Sequence, residues 1–369
     1  MTHLVDILRN AASFVVTLGI LVFVHELGHY LAARWRGVYV EAFSIGFGPV
    51  IASWTDKVGT VWKLSWLPLG GYVKLHGQER PEDVAPEVRA AWRVGQTFHE
   101  KSVGSRAIVV AAGPVANFLL AVVLFGVLFM AVGLPVAVPL VGETVPGGAA
   151  EKAGLVAGDR IRSIDGAPVT RFDDIKRIVS GSPDKTVQMV IETKGVARTV
   201  PVIVGSVESG GRRVGQLGVR GGAMDYERVN PAVAMLGGVT QTWDVAVATV
   251  AGIGQMLSGT RGTDELSGPL GIAHLAGQFA QLGIVAMVSF VAVLSVNLGL
   301  VNLFPIPVLD GGHLVFYLLE AIRGRPLPTR MLEYGFRAGF ALLAGLFVFA
   351  TWNDLAHMGV FRWVAGLLG

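Results

Sequence analysis

His25-Glu26-Leu27-Gly28-His29 closes the apolar run Asn10 to Val24 (NAASFVVTLGILVFV), and the apolar pattern resumes at once with Tyr30-Leu31-Ala32-Ala33. The run from about Ile7 to Ala33 is long enough for a helix that crosses a bilayer, which needs roughly 20 residues. On such a helix positions i and i+4 share a face, so the imidazoles of His25 and His29 can point at a single zinc ion. Glu26, one position on from His25, reaches a water on that metal instead of the metal itself. With this chain's His and Glu frequencies the HExxH pattern arises by chance in on the order of one such chain in a hundred, so its setting must carry the weight. A carboxylate deep in an apolar helix costs about 2.5 to 3.5 kcal/mol on insertion scales, which marks these residues as functional in place of two satisfied helix histidines beside a stray glutamate.

The rest of the chain agrees with a membrane setting. Of 369 residues 52% are hydrophobic and only 15% charged, where a soluble domain has roughly a quarter charged. No charged residue occurs from Ala107 to Gly142 or from Leu266 to Leu309. These features exclude an ordinary soluble domain. The first span is too long, and too polar at its end, for a removable signal peptide. The net charge of +3 reflects membrane orientation, not a nucleic-acid surface. With no cysteine there is no disulfide, thiolate nucleophile, iron–sulfur cluster or Cys-ligated zinc, so a metal must be held by His, Asp or Glu.

Four segments read as spans: about Ile7 to Ala33, Ala107 to Leu134, Ile284 to Leu309 and Glu333 to Trp352. The second contains Gly113-Pro114, a kink that membranes tolerate where neighbouring helices satisfy the freed carbonyl. Arg34, Arg36, Arg93, Lys101 and Arg106 flank the loop after the first span, and Arg323, Arg325 and Arg330 follow the third, which places both loops in the cytoplasm. The N-terminus, the section from Val136 to about Leu282 and the C-terminal tail then face outside. Pro231 to Leu257 carries one charge, Asp244, and is long enough for a fifth span. Thr240, Gln241, Thr242, Asp244 and Gln255 interrupt it, and it is read as an interfacial helix.

Catalytic zinc takes three protein ligands and leaves a position for water. Asp310 is the candidate third ligand, because it ends the longest uncharged run and follows Pro305 and Pro307, which break the helix and free it to turn toward the metal. A helix-terminal aspartate snorkelling to the headgroups is the alternative. His313 is a competing ligand, with a role beside the ligands or in the loop the better fit. Under four spans the third delivers Asp310 to the cytoplasmic end, level with His25 and His29. A fifth span would place it some 20 to 30 Å away at the opposite face.

Together with HExxH, Gly113-Pro114-Val115-Ala116-Asn117 in the second span and Asn302-x-x-Pro305-x-Pro307-x-x-Asp310-Gly311 in the third resemble the site-2 protease family of intramembrane zinc proteases, most closely its bacterial regulator-of-sigma-E branch. Gly46-Phe47-Gly48-Pro49 and Pro68-Leu69-Gly70-Gly71-Tyr72-Val73 extend the likeness over essentially the whole chain. The resemblance implies a Zn2+-dependent endopeptidase of a bacterial cytoplasmic (inner) membrane. Its substrates would be single-span membrane proteins, anti-sigma-factor-like or signal-peptide remnants, trimmed beforehand by a site-1 protease. Lipid is then a partner and nucleic acid is not. The resemblance also implies ligands His25, His29 and Asp310, catalysis by Glu26, and a substrate-positioning or transition-state role for Asn302. Gly113, Pro114, Asn117, Pro305, Pro307 and Gly311 would shape the site. A catalytically silent scaffold and a proton-relaying transporter are the rival readings; intact His25, Glu26, His29 and Asp310 count against the first, and the absence of internal repeats against the second.

The fold expected is a polytopic α-helical membrane protein of four transmembrane helices with a membrane-associated β-hairpin region and one extracytoplasmic PDZ-like α+β domain. Residues 1–135 form the first membrane half, 136–222 the PDZ-like domain, 223–282 the interfacial helix and linker, and 283–369 the second membrane half. Residues 38–75 alternate apolar with polar or small residues between glycines, as expected of strands dipping into the membrane, or else of an ordinary cytoplasmic hairpin. Ala153 to Gly166 resembles the PDZ signature in spacing, Val187 to Val204 reads as a later strand pair, and Gln216 to Val219 as a closing strand. The family branch commonly carries two such domains; there is room here for one, either a peptide binder or a structural spacer.

Overall fold

A computed structural model describes residues 2–79, 81, 84–209, 212–260, 262 and 267–357; the C-terminal tail whose outward placement the sequence suggests lies outside them. The chain divides into two compact units, one formed by residues 1–128 and 235–369 and the other by residues 129–234.

The first unit opens with α1 (Thr2–Trp35). Its apolar residues surround the helix instead of forming one stripe, as in a helix whose solvent is lipid. A hairpin follows, β1 (Val40–Thr55) and β2 (Val61–Leu75). Glycines at positive φ, Gly46 (84°), Gly48 (85°) and Gly70 (115°), let both strands bend. The register shows the result: Ala42, Phe43, Ser44 and Ile45 face Lys74, Val73, Tyr72 and Gly71 on one side and Val61, Trp62, Lys63 and Leu64 on the other, while residues 50–55 pair with 61–65. The hairpin therefore doubles back into a four-ribbon sheet in which 71–75 forms an edge. Its root is buried through Val38, Val40, Phe43 and Leu75 against Tyr30 and Ala33 of α1. Farther out Phe47, Val50, Ile51, Trp54, Trp66 and Leu67 are exposed. A short helix α2 (Pro86–Ala90) precedes α3 (Val103–Ala131), which continues unbroken through Pro114.

The second unit comprises β3 (Leu134–Ala137), β4 (Val141–Thr144), α4 (Ala149–Lys152), β5 (Arg160–Ile164), β6 (Ala167–Pro168), α5 (Phe172–Ser180), β7 (Thr186–Thr193), β8 (Val196–Ile203), β9 (Gly205–Ser209), β10 (Arg212–Gln216), β11 (Val219–Gly221) and β12 (Met224–Glu227). A four-stranded sheet β6-β5-β7-β8 is accompanied by the pairs β9 with β10, β4 with β11 and β3 with β12. Ile161, Ile164, Ile175, Met189, Ile191 and Val202 form its core. The closing strand begins at Val219, since Gln216 ends the preceding hairpin and Leu217 turns into the core. The unit reaches beyond 136–222 because β3 and β12 tie its two ends together.

Returning to the first unit, α6 (Pro231–Leu257), α7 (Pro269–Gln281), α8 (Ile284–Asn302), α9 (Asp310–Arg323) and α10 (Thr329–His357) complete the chain. Among the described residues four helices are long and apolar enough to cross a membrane: Leu4–Trp35, Val103–Ala131, Ile284–Asn302 and Thr329–His357. The third stops seven residues before the expected Leu309, because Pro305 and Pro307 cannot continue the helical ladder. What reads in sequence as a loop after it is the helix α9. Helix α6 is not among the four. Gly238 leaves room only for the backbone of Val122 and Gly126 of α3, and Thr249 donates to Asn297 of α8 across 2.9 Å. Thr240 and Thr242, two of the residues that read as interruptions, donate to carbonyls of the preceding turn, as does Thr249, so these hydroxyls are satisfied within the helix itself.

Candidate metal centre

The site is assembled from α1, α3 and the broken segment between α8 and α9. Gly28 is the small residue at the α1–α3 crossing; a methyl group there would overlap the backbone of Ala112 and the Cβ of Ala116. Close approach brings His29 Nδ1 to 2.9 Å from the carbonyl of Val109 and His25 Nδ1 to 3.1 Å from the amide nitrogen position of Asn117. The carbonyl can only accept, so His29 carries its proton on Nδ1 and leaves Nε2 bare. With a metal on Nε2, His25 likewise carries a proton on Nδ1, and the amide oxygen is the end of Asn117 that would accept it. That oxygen is buried without a partner in its present orientation, and a half-turn of the amide would bring it to His25.

Asp310 enters from the other half of the chain. Val308 adopts φ 94°, a conformation a β-branched residue rarely takes, and such strain clusters at functional sites. Gly311 and Gly312 are buried, with no room for a Cβ against the backbones of Leu303, Phe304 and Ile306, so the first turn of α9 is held against the segment that Pro305 and Pro307 unwind. The Oδ2 of Asp310 lies 3.2 Å from His25 Nε2 and 3.5 Å from His29 Nε2, and the two Nε2 atoms are 3.2 Å apart. Zinc bound at about 2.0 to 2.2 Å in tetrahedral geometry separates its ligand atoms by about 3.4 Å. The three separations fit that edge length. So does the chemistry, because Asp310 Oδ2 is buried and accepts no hydrogen bond, and three lone-pair atoms facing one point repel unless a cation lies between them. His25, His29 and Asp310 could thus hold one metal ion.

Glu26 lies beside them on the wall of a cavity of about 690 Å³, which is also lined by Gly71, Tyr72, Val73, Asn302, His313 and Tyr317. Gly71 packs against Val22 and Glu26, so the edge 71–75 runs past the carboxylate. Among the described residues no strand pairs with its outer side. Gly113 of α3 faces the two histidines, the carbonyl of Pro114 lies against Gly299 of α8, and Ser295 of α8 donates to the carbonyl of Asn117 across 2.8 Å. The structure thus brings together His25, Glu26, His29, Asn302 and Asp310 on one cavity, with Gly113 and Asn117 against the two histidines. Sequence reasoning missed the Val109 carbonyl, which no side chain announces, and the pair Arg106–Glu320 at 2.6 Å, which joins α3 to α9 at the cavity wall with the guanidinium over Tyr317.

The profile of peptidase family M50 matches residues 13–346. A relative from Rhizobium meliloti (strain 1021), named as a zinc metalloprotease, is 44% identical over 374 residues, covering 96% of this chain and 99% of its own. Metalloprotease MmpA of Caulobacter vibrioides is 37% identical, covering 99% and 100%. Regulator of sigma-E protease RseP of Escherichia coli K12 is 33% identical, covering 96% and 100%. Among solved structures, the PDZ domain of an SdrC-like protein from Listeria monocytogenes covers 22% of this chain and 83% of its own at 16% identity, with a TM-score of 0.19 that carries no argument. The chain belongs to peptidase family M50 and is a zinc metalloprotease of the site-2 protease type that its motifs resemble.

Proposed function

We propose that this protease cleaves single-span membrane proteins within the bilayer, in regulated intramembrane proteolysis at a bacterial inner membrane, with Glu26 as the catalytic base and His25, His29 and Asp310 as the zinc ligands. The observation that carries the reading is convergence: two candidate ligands on one helix suited to cross a membrane and a third some 280 positions later, at the start of α9, meet beside Glu26. Zinc bound there supplies a Lewis acid and a water of lowered pKa, toward about 7. Glu26 takes the proton of the attacking water and later returns it to the leaving nitrogen, so one carboxylate serves as base and then as acid. Asn302, at the cavity wall, orients the substrate.

A helical substrate hides its carbonyls, and the segment to be cut must unwind before water can reach it. The unpaired outer side of 71–75 supports main-chain pairing with the unwound strand, next to Glu26. The exposed aromatic residues Trp54 and Trp66 of the same hairpin support its contact with lipid. The unit of residues 129–234 is read as a PDZ-like selector, outside the membrane together with the N-terminus, that limits or recruits substrates already cut by a site-1 protease. The test is incubation of the full-length protein with a panel of single-span proteins, comparing wild type with Glu26→Gln. The amide keeps shape and zinc while cleavage falls at least about a hundredfold. Near-normal turnover in Glu26→Gln would mean that another group activates the water.

A further inference from the structure

Beyond the candidate ligands and Glu26, two further imidazoles line the cavity, His99 and His313; His99 Nδ1 lies 3.0 Å from the carbonyl of Gly77, and His313 is the one so far without a role. His313 lies three residues after Asp310, so helical geometry puts both on one face of α9 with Cβ atoms about 5 to 6 Å apart. The turn that joins them is fixed, because Gly311 and Gly312 fit only against backbone. The ring is walled by Tyr317 and by Phe336 of α10, with centroids at 6.4 and 5.3 Å. Among the described residues its nitrogens have no hydrogen-bond partner, yet it lines the same cavity as Glu26, His25 and His29. A half-buried imidazole held by aromatic rings on the wall of a reaction cavity, with its nitrogens unpartnered among the described residues, is poised to meet a ligand. Arg106, a charged donor on the same cavity wall, is engaged by Glu320 and by the carbonyl of Lys101.

We propose that His313 is a further catalytic residue, whose imidazole N–H donates to the scissile carbonyl oxygen as that oxygen takes on negative charge. The inference rests on the hydrolytic reading above. When water adds, its oxygen bonds to the carbonyl carbon, its proton goes to Glu26, and the carbonyl π pair moves to oxygen. Glu26 is then neutral and cannot offset that charge, whereas the His313 N–H can. On collapse the pair returns to form C=O, the C–N bond breaks, and the proton on Glu26 goes to the leaving nitrogen. His313 keeps its own proton throughout. One preorganised donor of this kind is worth about 10² to 10³ in kcat.

The test uses the full-length protein with a single-span substrate, and compares wild type, His313→Phe, which keeps the aromatic packing, and His313→Gln, which keeps an N–H donor. Zinc per chain should be unchanged in both. His313→Phe should lower kcat by about 10² to 10³ with KM within about threefold, and His313→Gln should recover at least about tenfold of that loss. In a Glu26→Gln background, adding His313→Phe should leave capture of the uncleaved substrate unchanged. A His313→Phe enzyme with more than about a tenth of wild-type kcat, loss of zinc in either variant, or a tenfold weaker capture would each overturn the proposal. Failure of the hydrolytic reading is distinguishable, since Glu26→Gln alone would then remain active.

Discussion

Replacing Gly113 by alanine adds one methyl group at the point where α3 faces both histidines. An ideal Cβ there lies 2.9 Å from His25 Cε1 and closer still to Cε1 and Nε2 of His29. Ordinary contact begins at 3.4 Å, so even the His25 ring must retreat by 3.4 − 2.9, or about 0.5 Å, and His29 by more. Metal–ligand distances tolerate only about 0.2 Å. The displacement is more than twice that tolerance. Mutations that merely disturb the partners of a ligand cost about 10- to 100-fold in metal affinity, so displacing two ligands should cost at least about 100-fold. Helix propensity acts in the other direction, because alanine in a helix interior is better than glycine by about 1 kcal/mol. Zinc loss without loss of helix is therefore the expected signature. The assay is zinc retained per chain after dialysis against graded chelator, with circular dichroism alongside. Gly19→Ala is the control, because nothing lies within 4 Å of a Cβ at that position of the same apolar environment. A Gly113→Ala protein that holds zinc against chelator as firmly as wild type would refute the reasoning.

Three further outcomes are expected. Asn117→Leu removes the buried partner of His25 Nδ1 and should weaken zinc binding by about 10- to 100-fold while leaving Glu26 competent, so added zinc restores cleavage; rates that zinc fails to restore would assign Asn117 another role. Cysteines introduced at Gly195 and at Gly262 of this Cys-free chain should both react with an impermeant reagent from outside, and opposite accessibility would reinstate a fifth span. Replacing residues 141–218 by a short flexible linker should leave cleavage of a pre-trimmed substrate largely intact and raise cleavage of the untrimmed form; loss of both activities in a protein that still holds zinc would make that unit part of the catalytic architecture.

Much of the site is legible in sequence because its chemistry is expensive where it stands. Two histidines and a glutamate inside an apolar helix, and an aspartate closing an uncharged run, have few structural uses in lipid. The spacing of i and i+4 puts the first two candidate ligands on one helix face before any fold is known. The remainder was hidden for identifiable reasons. Helix α9 reads as a loop because its start, Asp310-Gly311-Gly312, has poor helix propensity, and tertiary packing of the two glycines against 303–306 overrides it. The packing of α6 was obscured because threonines that bond their own helix, or Asn297, look the same in sequence as threonines facing headgroups. The doubling of β1 and β2 follows from glycines whose positive φ is a backbone property, and no alternation of side chains reveals which two ribbons flank Ala42. The group that fixes the His29 ring is a backbone carbonyl, that of Val109, which carries no sequence mark at all.

On the proposed reading, His25 and His29 near one end of the chain and Asp310 near the other hold one zinc ion. The measurement that tests it most directly is zinc content of the purified full-length protein, wild type beside Asp310→Ala, with folding checked by circular dichroism. The account predicts close to one zinc per wild-type chain, and none retained after chelator in the folded Asp310→Ala protein, since two imidazoles on one helix leave the ion a ligand short. An Asp310→Ala protein that keeps a full equivalent through the same treatment would contradict it.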